Sequence, residues 1–310
     1  MPIYRRTLLL LSKLETTYGT DPTPTGAANA IRAKNVKISP MEGQDLPRDL
    51  DLPAMGNQGT IPADLHMKLE FDIELAPSGT VGTAPAWGHL LRGCGMAQTI
   101  AAGVSVTYNP VTDNHESVTH YFQIGGTLWK MKGSKGSVKF ALNAQSIPVM
   151  SFSFLGLFEK PAEAARPTPV YTAWKTPLLV SDANTPVRTI NGIAMAIKEF
   201  SLDAGTKPET RFLIGSHGIQ ISDRAETIEA KVEAVPITSF DPFTLAINQT
   251  EVPLVLTHGT VAGSIVTINA PRCQIQRTAG LEESQGIVEW PLRLAPQLNA
   301  GNDQYTIVLT

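Results

Sequence analysis

LHMKLEFDIELAP, residues 65–77, alternates more regularly than any other stretch of the chain. Large apolar side chains occupy its odd positions, whereas Glu70, Asp72 and Glu74 are among the charged side chains at its even positions. Successive side chains of a β-strand point to opposite faces of the sheet. The stretch therefore predicts a strand with one buried face and one acidic, solvated face.

A second stretch, TIEAKVEAVP at residues 227–236, repeats this pattern. When the two are aligned, Glu229 and Glu233 coincide with Glu70 and Glu74. Two shorter matches connect the same parts of the chain: residues 196–205 with residues 35–43, and GIVEWPL (residues 286–292) with GSVKFAL (residues 136–142). We interpret the chain as two tandem copies of one β-rich unit.

Length and composition fit this interpretation. At 310 residues the chain is long enough for two cores of ordinary size. Its 25 glycines and 23 prolines are spread along the chain, which indicates frequent turns between short strands. The net charge of −3 gives no basic excess of the kind that marks nucleic-acid-binding proteins.

Four segments are expected along the chain: an N-terminal arm at residues 1–30, a first β domain at residues 31–160, a linker at residues 161–170 and a second β domain at residues 171–310. The linker falls in EKPAEAARPTP (residues 159–169), which has three prolines and no large apolar residue. Predicted strands of the first domain include Ala33–Ser39, Val104–Pro110, Ser117–Ile124, Thr127–Lys132, Gly136–Asn143 and Val149–Phe158.

A helix and a long loop accompany the strands of the first domain. Thr83–Gly95 has apolar residues at helical spacing, so it is predicted to be a helix that packs on the core. Its counterpart in the second copy, residues 242–248, is at most two turns long. Pro40–Gly59 is expected to be a long loop that acts only on contact with a neighbour, and Gly133–Ser137 (GSKGS) is expected to be a turn.

No residue pattern indicates catalysis or metal binding. The six histidines lack the spacing of metal ligands, and GSKGS lacks the spacing of a phosphate-binding loop. Ser216, His217 and Asp223 are not placed in a nucleophile elbow. We therefore predict that the protein is not an enzyme and has no cofactor or metal.

Cys94 and Cys273 belong to no CxxC motif, so both are expected to be packed, reduced thiols in a cytosolic protein. Four leucines follow Arg5 and Arg6, but Ser12 ends the run. A signal peptide needs about 7–15 apolar residues, so none is expected here. No apolar run approaches the ~18 residues of a membrane span.

Four motifs in order resemble one family. They are ETTYGTDPTPTGAANAI (residues 15–31), NVKISPMEGQ (35–44), LEFDIELAP (69–77) and APAWGHLLRGCGM (84–96). Their combination is similar to the major tail tube protein of long-tailed (siphovirus-like) bacteriophages. None of them is a catalytic signature, and the rest of the chain matches only in its strand order.

The resemblance implies a mainly β fold with two tandem β-sandwich (half-barrel) tail-tube domains, each flanked by a helix and a long loop. Six such domains close a ring around a β-barrel lumen, so two per chain imply a trimer with pseudo-sixfold symmetry. With four strands per domain, the barrel has about 24 strands and a channel on the order of 40 Å. Stacked rings form a conduit for double-stranded DNA during genome ejection.

The resemblance also assigns roles to charged residues. The lumen-facing residues are expected to be Glu70, Asp72, Glu74, Glu229 and Glu233, which would repel phosphate. The contacts between rings are expected from Arg5, Arg6, Glu42, Asp45, Arg48, Asp49 and Asp51. The implied partners are other copies of the chain, the tape measure, terminator and distal tail proteins, and DNA in passage, with no membrane. The implied location is the virion tail, assembled in the host cytoplasm.

Two alternatives remain open from the sequence. One is a receptor- or carbohydrate-binding β-sandwich at the tail tip, which would favour exposed aromatic residues on loops, whereas aromatic residues make up only 6% of this chain. The other is the tube protein of a contractile injection system, whose lumen need not carry DNA.

Overall fold

The computed structural model describes residues 3–278 and 280–310, and the fold is mainly β. A 3-10 turn at Arg5–Thr7 comes first. The elements of the first half are β1 (Leu9–Leu14), α1 (Gly26–Asn29), β2 (Ala33–Pro47), β3 (Thr60–Glu74), α2 (Gly88–Gly93), β4 (Met96–Ala101), β5 (Ser105–Pro110), β6 (Val118–Ile124), β7 (Thr127–Ala141), β8 (Val149–Leu157) and β9 (Ala162–Glu163).

The second half has a similar succession of elements. They are β10 (Val187–Ile190), β11 (Ile193–Ala194), β12 (Ile197–Asp203), β13 (Thr206–Leu213), β14 (Ser216–Arg224), β15 (Thr227–Glu233), α3 (Pro242–Ile247), β16 (Glu251–His258), β17 (Val266–Ile275), β18 (Glu282–Ser284), β19 (Ile287–Pro296) and β20 (Thr306–Leu309).

The two halves share one order of paired strands. Antiparallel neighbours follow β1–β6–β7–β8–β3–β2 in the first half and β10–β16–β17–β19–β15–β12 in the second. The two acidic strands, β3 and β15, therefore occupy equivalent places. The strand β19 takes the place of β8, so the predicted match of residues 286–292 with residues 136–142 is wrong. The alternation that these segments share is common to half-buried strands and does not identify which strand each one is.

The first half is a sandwich whose layers are joined by β7. This strand pairs with β6 at its start and with β8 from Lys132 onward, so it passes from one sheet to the other. Phe71 on β3 stacks on Phe152 and Phe154 of β8, with ring centroids 5.4 and 6.0 Å away. The odd-numbered residues from Met67 to Leu75 are all buried. The predicted buried face of this strand and the mainly β, sandwich-like fold are confirmed.

The halves are joined edge to edge in both layers. In one layer β7 pairs with β12, with Lys139 opposite Asp203 and Ala141 opposite Ser201. In the other layer β5 pairs with β20, so the β4–β5 hairpin of the first half extends the sheet of the second. The strands β2, β3, β8, β7, β12, β15 and β19 thus form one continuous run across both halves.

The first part of the region predicted as a long loop, Pro40–Gly59, is instead one strand of a β-hairpin. The strand β2 continues to Pro47 and pairs with β3 from Thr60 onward, so the connecting loop is only residues 48–59. The sequence did not predict these strand residues. The hairpin has no buried face, so apolar and polar residues do not alternate along it.

Two further expectations need correction. The predicted turn Gly133–Ser137 lies within β7. A bulge between Lys132 and Lys135 interrupts the strand pairing there, and Gly133 in this bulge has a left-handed φ of 58°. The predicted helix Thr83–Gly95 is shorter than expected, because α2 covers only its C-terminal part. The helix α3 has the same length as α2, six residues.

The segments predicted as an arm and a linker are both paired with the first half. The strand β1 lies beside β6, and β9, within the predicted linker, lies beside the start of β7. In the part of the chain that the structure describes, no helix is both long and apolar enough to cross a membrane.

Candidate assembly surfaces

The solvated face of the continuous sheet carries the five acidic side chains predicted for it. These are Glu70, Asp72 and Glu74 on β3, and Glu229 and Glu233 on β15. One row of opposing residues connects the two strands: Glu74, Val149, Ala141, Ser201 and Glu229. Because residues directly opposite each other lie on the same face of a sheet, all five acids share one face.

Lysines neutralise part of this acidic face. Lys68 Nζ lies 2.7 Å from Glu70 Oε1, and Lys139 Nζ lies 3.8 Å from Glu229 Oε2. Lys231 Nζ lies within 3.3 Å of two further carboxylates. Exposed pairs of this kind contribute roughly 0–1 kcal/mol each to stability, so their main effect is on the surface potential. The face is acidic but mixed.

Short hydroxyl side chains fill the same face between the two acidic strands. Ser153 lies opposite both Glu70 and Ser137, and Ser151 lies opposite Asp72. Ser201 lies on the same face of β12, opposite Ala141. These side chains are polar and uncharged, but exposed Lys139, opposite both Ser151 and Asp203, places a cation among them.

Two edges of the continuous run are open within the described residues. The strand β2 pairs only with β3, and β18 pairs only with β19. An open edge presents N–H and C=O groups to which another strand can bind. In the shared strand order, β2 is the counterpart of β12, and β17 is the counterpart of β7. The strand β18 pairs with β19 beyond the end of β17, just as the second part of β7 pairs with β8. The open edges are therefore counterparts of the β7 and β12 edges that meet inside the chain.

A hairpin arm projects from each half, and the second one is folded back. We call residues 40–64 the first arm and residues 206–224 the second arm; each connects counterpart strands, β2 to β3 and β12 to β15. In the second arm, Ile219 is 1% exposed and its N–H donates to Tyr18 Oη at 2.5 Å. Thr206 Oγ1 donates to the carbonyl of Cys94 at 3.3 Å. The second arm is therefore packed on the first half.

The first arm, by contrast, has no buried residue between positions 43 and 62, although Thr210 Oγ1 of the second arm donates to Asp64 Oδ2 at its base at 3.3 Å. Its exposed large apolar side chains are Met41, Leu46, Leu50, Leu52, Met55 and Ile61. The charged residues predicted for contacts between rings lie on it: Glu42, which is half-buried, and Asp45, Arg48, Asp49 and Asp51, which are exposed. Among the described residues none of these five has an ion-pair partner.

Arg5 and Arg6, predicted to share that role, lie elsewhere. Both are exposed, and Arg5 Nη2 donates to the carbonyl of Val36, near the start of β2, at 2.9 Å. The strand from Val36 to Pro47 spans about 35 Å at ~3.3 Å per residue. The structure thus does not bring the arginines together with the tip of the first arm.

Glu15 fastens the N-terminal segment, a role that its local sequence did not predict. The carboxylate of Glu15 accepts hydrogen bonds from Ser117 Oγ at 2.6 Å and Thr119 Oγ1 at 2.5 Å. It also accepts the N–H groups of Gly19 and Gly133, both at 2.7 Å. A single glutamate before a Thr- and Gly-rich stretch has no distinctive pattern, so only the fold reveals this role.

The described residues bring together neither a metal-ligand cluster nor Ser216 and Asp223. No group of three or more His, Cys, Asp and Glu side chains is close enough to hold a metal ion. Ser216 and Asp223 lie at opposite ends of β14, about 23 Å apart at ~3.3 Å per residue. Cys94 and Cys273 are buried and form no disulfide, and burial raises the pKa of both thiols, that of Cys273 to about 12. Neither thiol is therefore an activated nucleophile.

Comparison with known proteins gives a match to a protein family. A family model described as phage tail tube protein matches residues 6–303, nearly the whole chain. A search of curated protein sequences found no match.

Proposed function

The chain belongs to the phage tail tube protein family, and we propose that three copies form a pseudo-hexameric ring that stacks into the tube. Membership of the family makes the protein a structural component of the virion tail. The proposal adds the number of subunits, the way the ring closes and the passage of double-stranded DNA through the lumen.

The observation that carries the proposal is the shared strand order with its two open edges. Inside the chain, the β7 edge of the first half meets the β12 edge of the second. Pairing β18 of one copy with β2 of the next repeats that junction between chains. Three copies, each with two tandem tube domains of four barrel strands, then close a barrel of about 24 strands with a channel on the order of 40 Å. Double-stranded DNA fits such a channel.

The acidic face gives the lumen its chemistry in this proposal. Glu70, Asp72, Glu74, Glu229 and Glu233 face inward and repel phosphates within a Debye length of ~8–10 Å. The serines between the acidic strands offer hydroxyl groups without positive charge. The lysines weaken the repulsion and prevent a uniformly acidic wall. DNA therefore slides through the channel without being held.

Stacking uses two separate surfaces. The tip of the first arm carries Arg48, Asp49 and Asp51, with Glu42 and Asp45 along its stem, whereas Arg5 and Arg6 lie about 35 Å away along β2. A contact between two different surfaces of identical rings does not close on itself, so it extends into a filament. The tape measure, terminator and distal tail proteins would then meet the inside and the two ends of this filament.

Negative-stain electron microscopy of the purified protein tests the assembly. We expect hollow rods whose cross-sections have threefold symmetry with six similar lobes. Spherical particles or single subunits at high concentration would contradict the proposal, and lectin-like binding without rods would favour a tail-tip function instead.

Charge reversal tests the lumen. Glu70→Lys combined with Asp72→Lys should leave rods intact but slow DNA ejection and reduce infectivity, because lysines on the wall bind phosphate. Asp113→Lys, in the exposed turn after β5, is the control and should behave like the wild type. Unchanged ejection by the double variant would show that this face does not line the lumen.

A further inference from the structure

The two six-residue helices occupy equivalent places but are covered to very different extents. Each helix follows an acidic strand, β3 or β15. In α2, Leu90 and Leu91 are 0% exposed, and Cys94 just after it is 1% exposed. When the helices are aligned on the residues that end them, Gly95 and Gln249, Phe243 stands at the place of half-buried His89 and Ile247 at the place of buried Gly93. Phe243 is 41% exposed and Ile247 is 78% exposed. The second half therefore leaves bare a surface that the first half covers.

The second arm covers the end of α2. Thr206 Oγ1 donates to the carbonyl of Cys94, and Ile221 Cδ1 lies 3.1 Å from the point where a Cβ on Gly95 would stand. Gly95 has a left-handed φ of 77°, and Gln249, just after α3, has a left-handed φ of 53°. The two helices thus end in the same way, but only the first has an arm across its end.

The first arm is the counterpart of this cover, but its residues 43–62 are not buried against any part of the chain that the structure describes. Leu50, Leu52 and Met55 are exposed on its tip, and Met41 and Ile61 are exposed on its stem. Within the chain, the second arm connects β12, which pairs with β7, to β15, and it lies back over the half to which β7 belongs. In the ring proposed above, the first arm connects β2, which pairs with β18 of the neighbouring copy, to β3.

From these three observations we infer that the first arm of one subunit covers the end of α3 in the neighbouring subunit of the same ring. This inference rests on the proposed ring and names its second contact, after the strand pairing. The exposed apolar residues of the arm then meet Phe243 and Ile247. The occupant of the bare surface is another copy of this chain.

Interface variants in pairs test this contact. The α3 variant carries Phe243→Asp and Ile247→Asp, and the arm variant lacks residues 44–58. The control is Val261→Asp, which charges an apolar residue of similar exposure (66%) in the turn between β16 and β17. Mass photometry counts the subunits, and thermal unfolding establishes that each variant is folded. A milder α3 variant, Phe243→Ser with Ile247→Ser, serves if the aspartates disturb folding.

We expect the α3 variant and the arm variant to be monomers when alone, and Val261→Asp to assemble like the wild type. Mixed in equal amounts, the two variants should form a dimer and stop there. The intact arm of the α3 variant can cover the intact α3 of the arm variant, but the reverse contact is lost.

Two outcomes overturn the inference. Wild-type assembly by the folded α3 variants would show that the bare helix is not a contact within the ring. Closed rings of the arm variant that fail to stack would show that the arm acts only between rings. Failure of the wild-type protein to form rods would instead reject the proposed function, so the two failures are distinguishable.

Discussion

The two arms are counterpart hairpins with opposite surroundings. The second arm is folded onto the first half, with Ile219 buried and a tight turn at Ile214 and Gly215. The first arm stands free and ends in the longer loop of residues 48–59. The chain itself accounts for the difference, because the first half precedes the second arm in the same polypeptide and is always within its reach. Among the described residues no corresponding half lies beside the first arm, and another copy of the chain can supply one.

Their side chains differ accordingly. The second arm uses a buried isoleucine and a hydrogen bond between Ile219 and Tyr18, a contact with one fixed geometry. The tip of the first arm exposes Leu50, Leu52 and Met55, and unbranched Met adapts to irregular surfaces. The contact of the second arm, which forms in every folded chain, thus has defined partners. The first arm, which we propose to bind only on assembly, has an apolar and adaptable surface.

Deleting Gln44–Gln58 breaks the comparison most completely. We expect no hollow rods in negative-stain images, because the free arm is lost while the second arm is untouched. The subunit should stay folded, since the deleted residues contribute little to the core, and its thermal unfolding should resemble that of the wild type. A second variant, with residues 48–57 replaced by Gly and Ser, keeps the length and should also fail to elongate. Normal tubes from either variant would refute the role of the arm.

Ile219→Ala should weaken the second arm where it is packed. Ile219 is 1% exposed, and truncation of a buried isoleucine to alanine costs roughly 2–5 kcal/mol in the free energy of unfolding. Ile214→Ala, at the fully exposed turn of the same arm, is the matched control and should change stability by less than about 0.5 kcal/mol. Urea unfolding measures both. Equal effects of the two substitutions would mean that the second arm is not held by this contact.

Some of these features follow from local sequence and others do not. The alternation at residues 65–77 predicted a strand with its buried face because one side of it packs on a core. The stem of the first arm, residues 40–47 and 60–64, lacks a core side and so gave no such signal. Gly133–Ser137 looked like a turn because glycines are frequent in turns, but here they form a bulge inside β7.

The pairing of the halves lies beyond any local pattern. That Lys139 lies opposite Asp203, or that β5 adjoins β20, depends on strands far apart in the chain. The acidic face was predicted correctly as a solvated face, since parity alone decides it. Its role as a lumen remains a prediction, because that depends on neighbouring copies.

His120 marks a second difference between the halves. It follows a bulge in β6, and Leu254 follows the corresponding bulge in β16. His120 is 0% exposed, and neither ring nitrogen has a hydrogen-bond partner within the described residues. Burial, with a smaller contribution from nearby His89, lowers its pKa to about 3. Below pH ~6.5 the unfolded chain therefore binds a proton here that the folded chain does not.

His120→Leu should thus make the first half resemble the second and reduce its acid sensitivity. Stability of the wild type falls as the pH decreases from ~6.5 toward 3, and His120 alone accounts for about 2 kcal/mol of that loss at pH 5. The variant should lose correspondingly less stability between pH 7.5 and pH 5 in urea unfolding. Some acid sensitivity should persist, because burial also lowers the pKa of His89 to about 4. The same pH dependence in both proteins would contradict the assignment.

Tyr18→Phe should have the smallest effect, because it removes one hydrogen bond and leaves the packing of the second arm intact. The Tyr18 ring also packs near Gly133 and Gly218, and phenylalanine keeps that contact. The N–H of Ile219 loses its acceptor, at a cost of about 1 kcal/mol. Hydrogen exchange at this amide should therefore become faster, while amides in β3 exchange as before. Tyr4→Phe, at a 70% exposed position, is the control. Unchanged exchange at Ile219 would mean that apolar packing alone holds the second arm in place, and that the first arm needs no polar anchor on its neighbour.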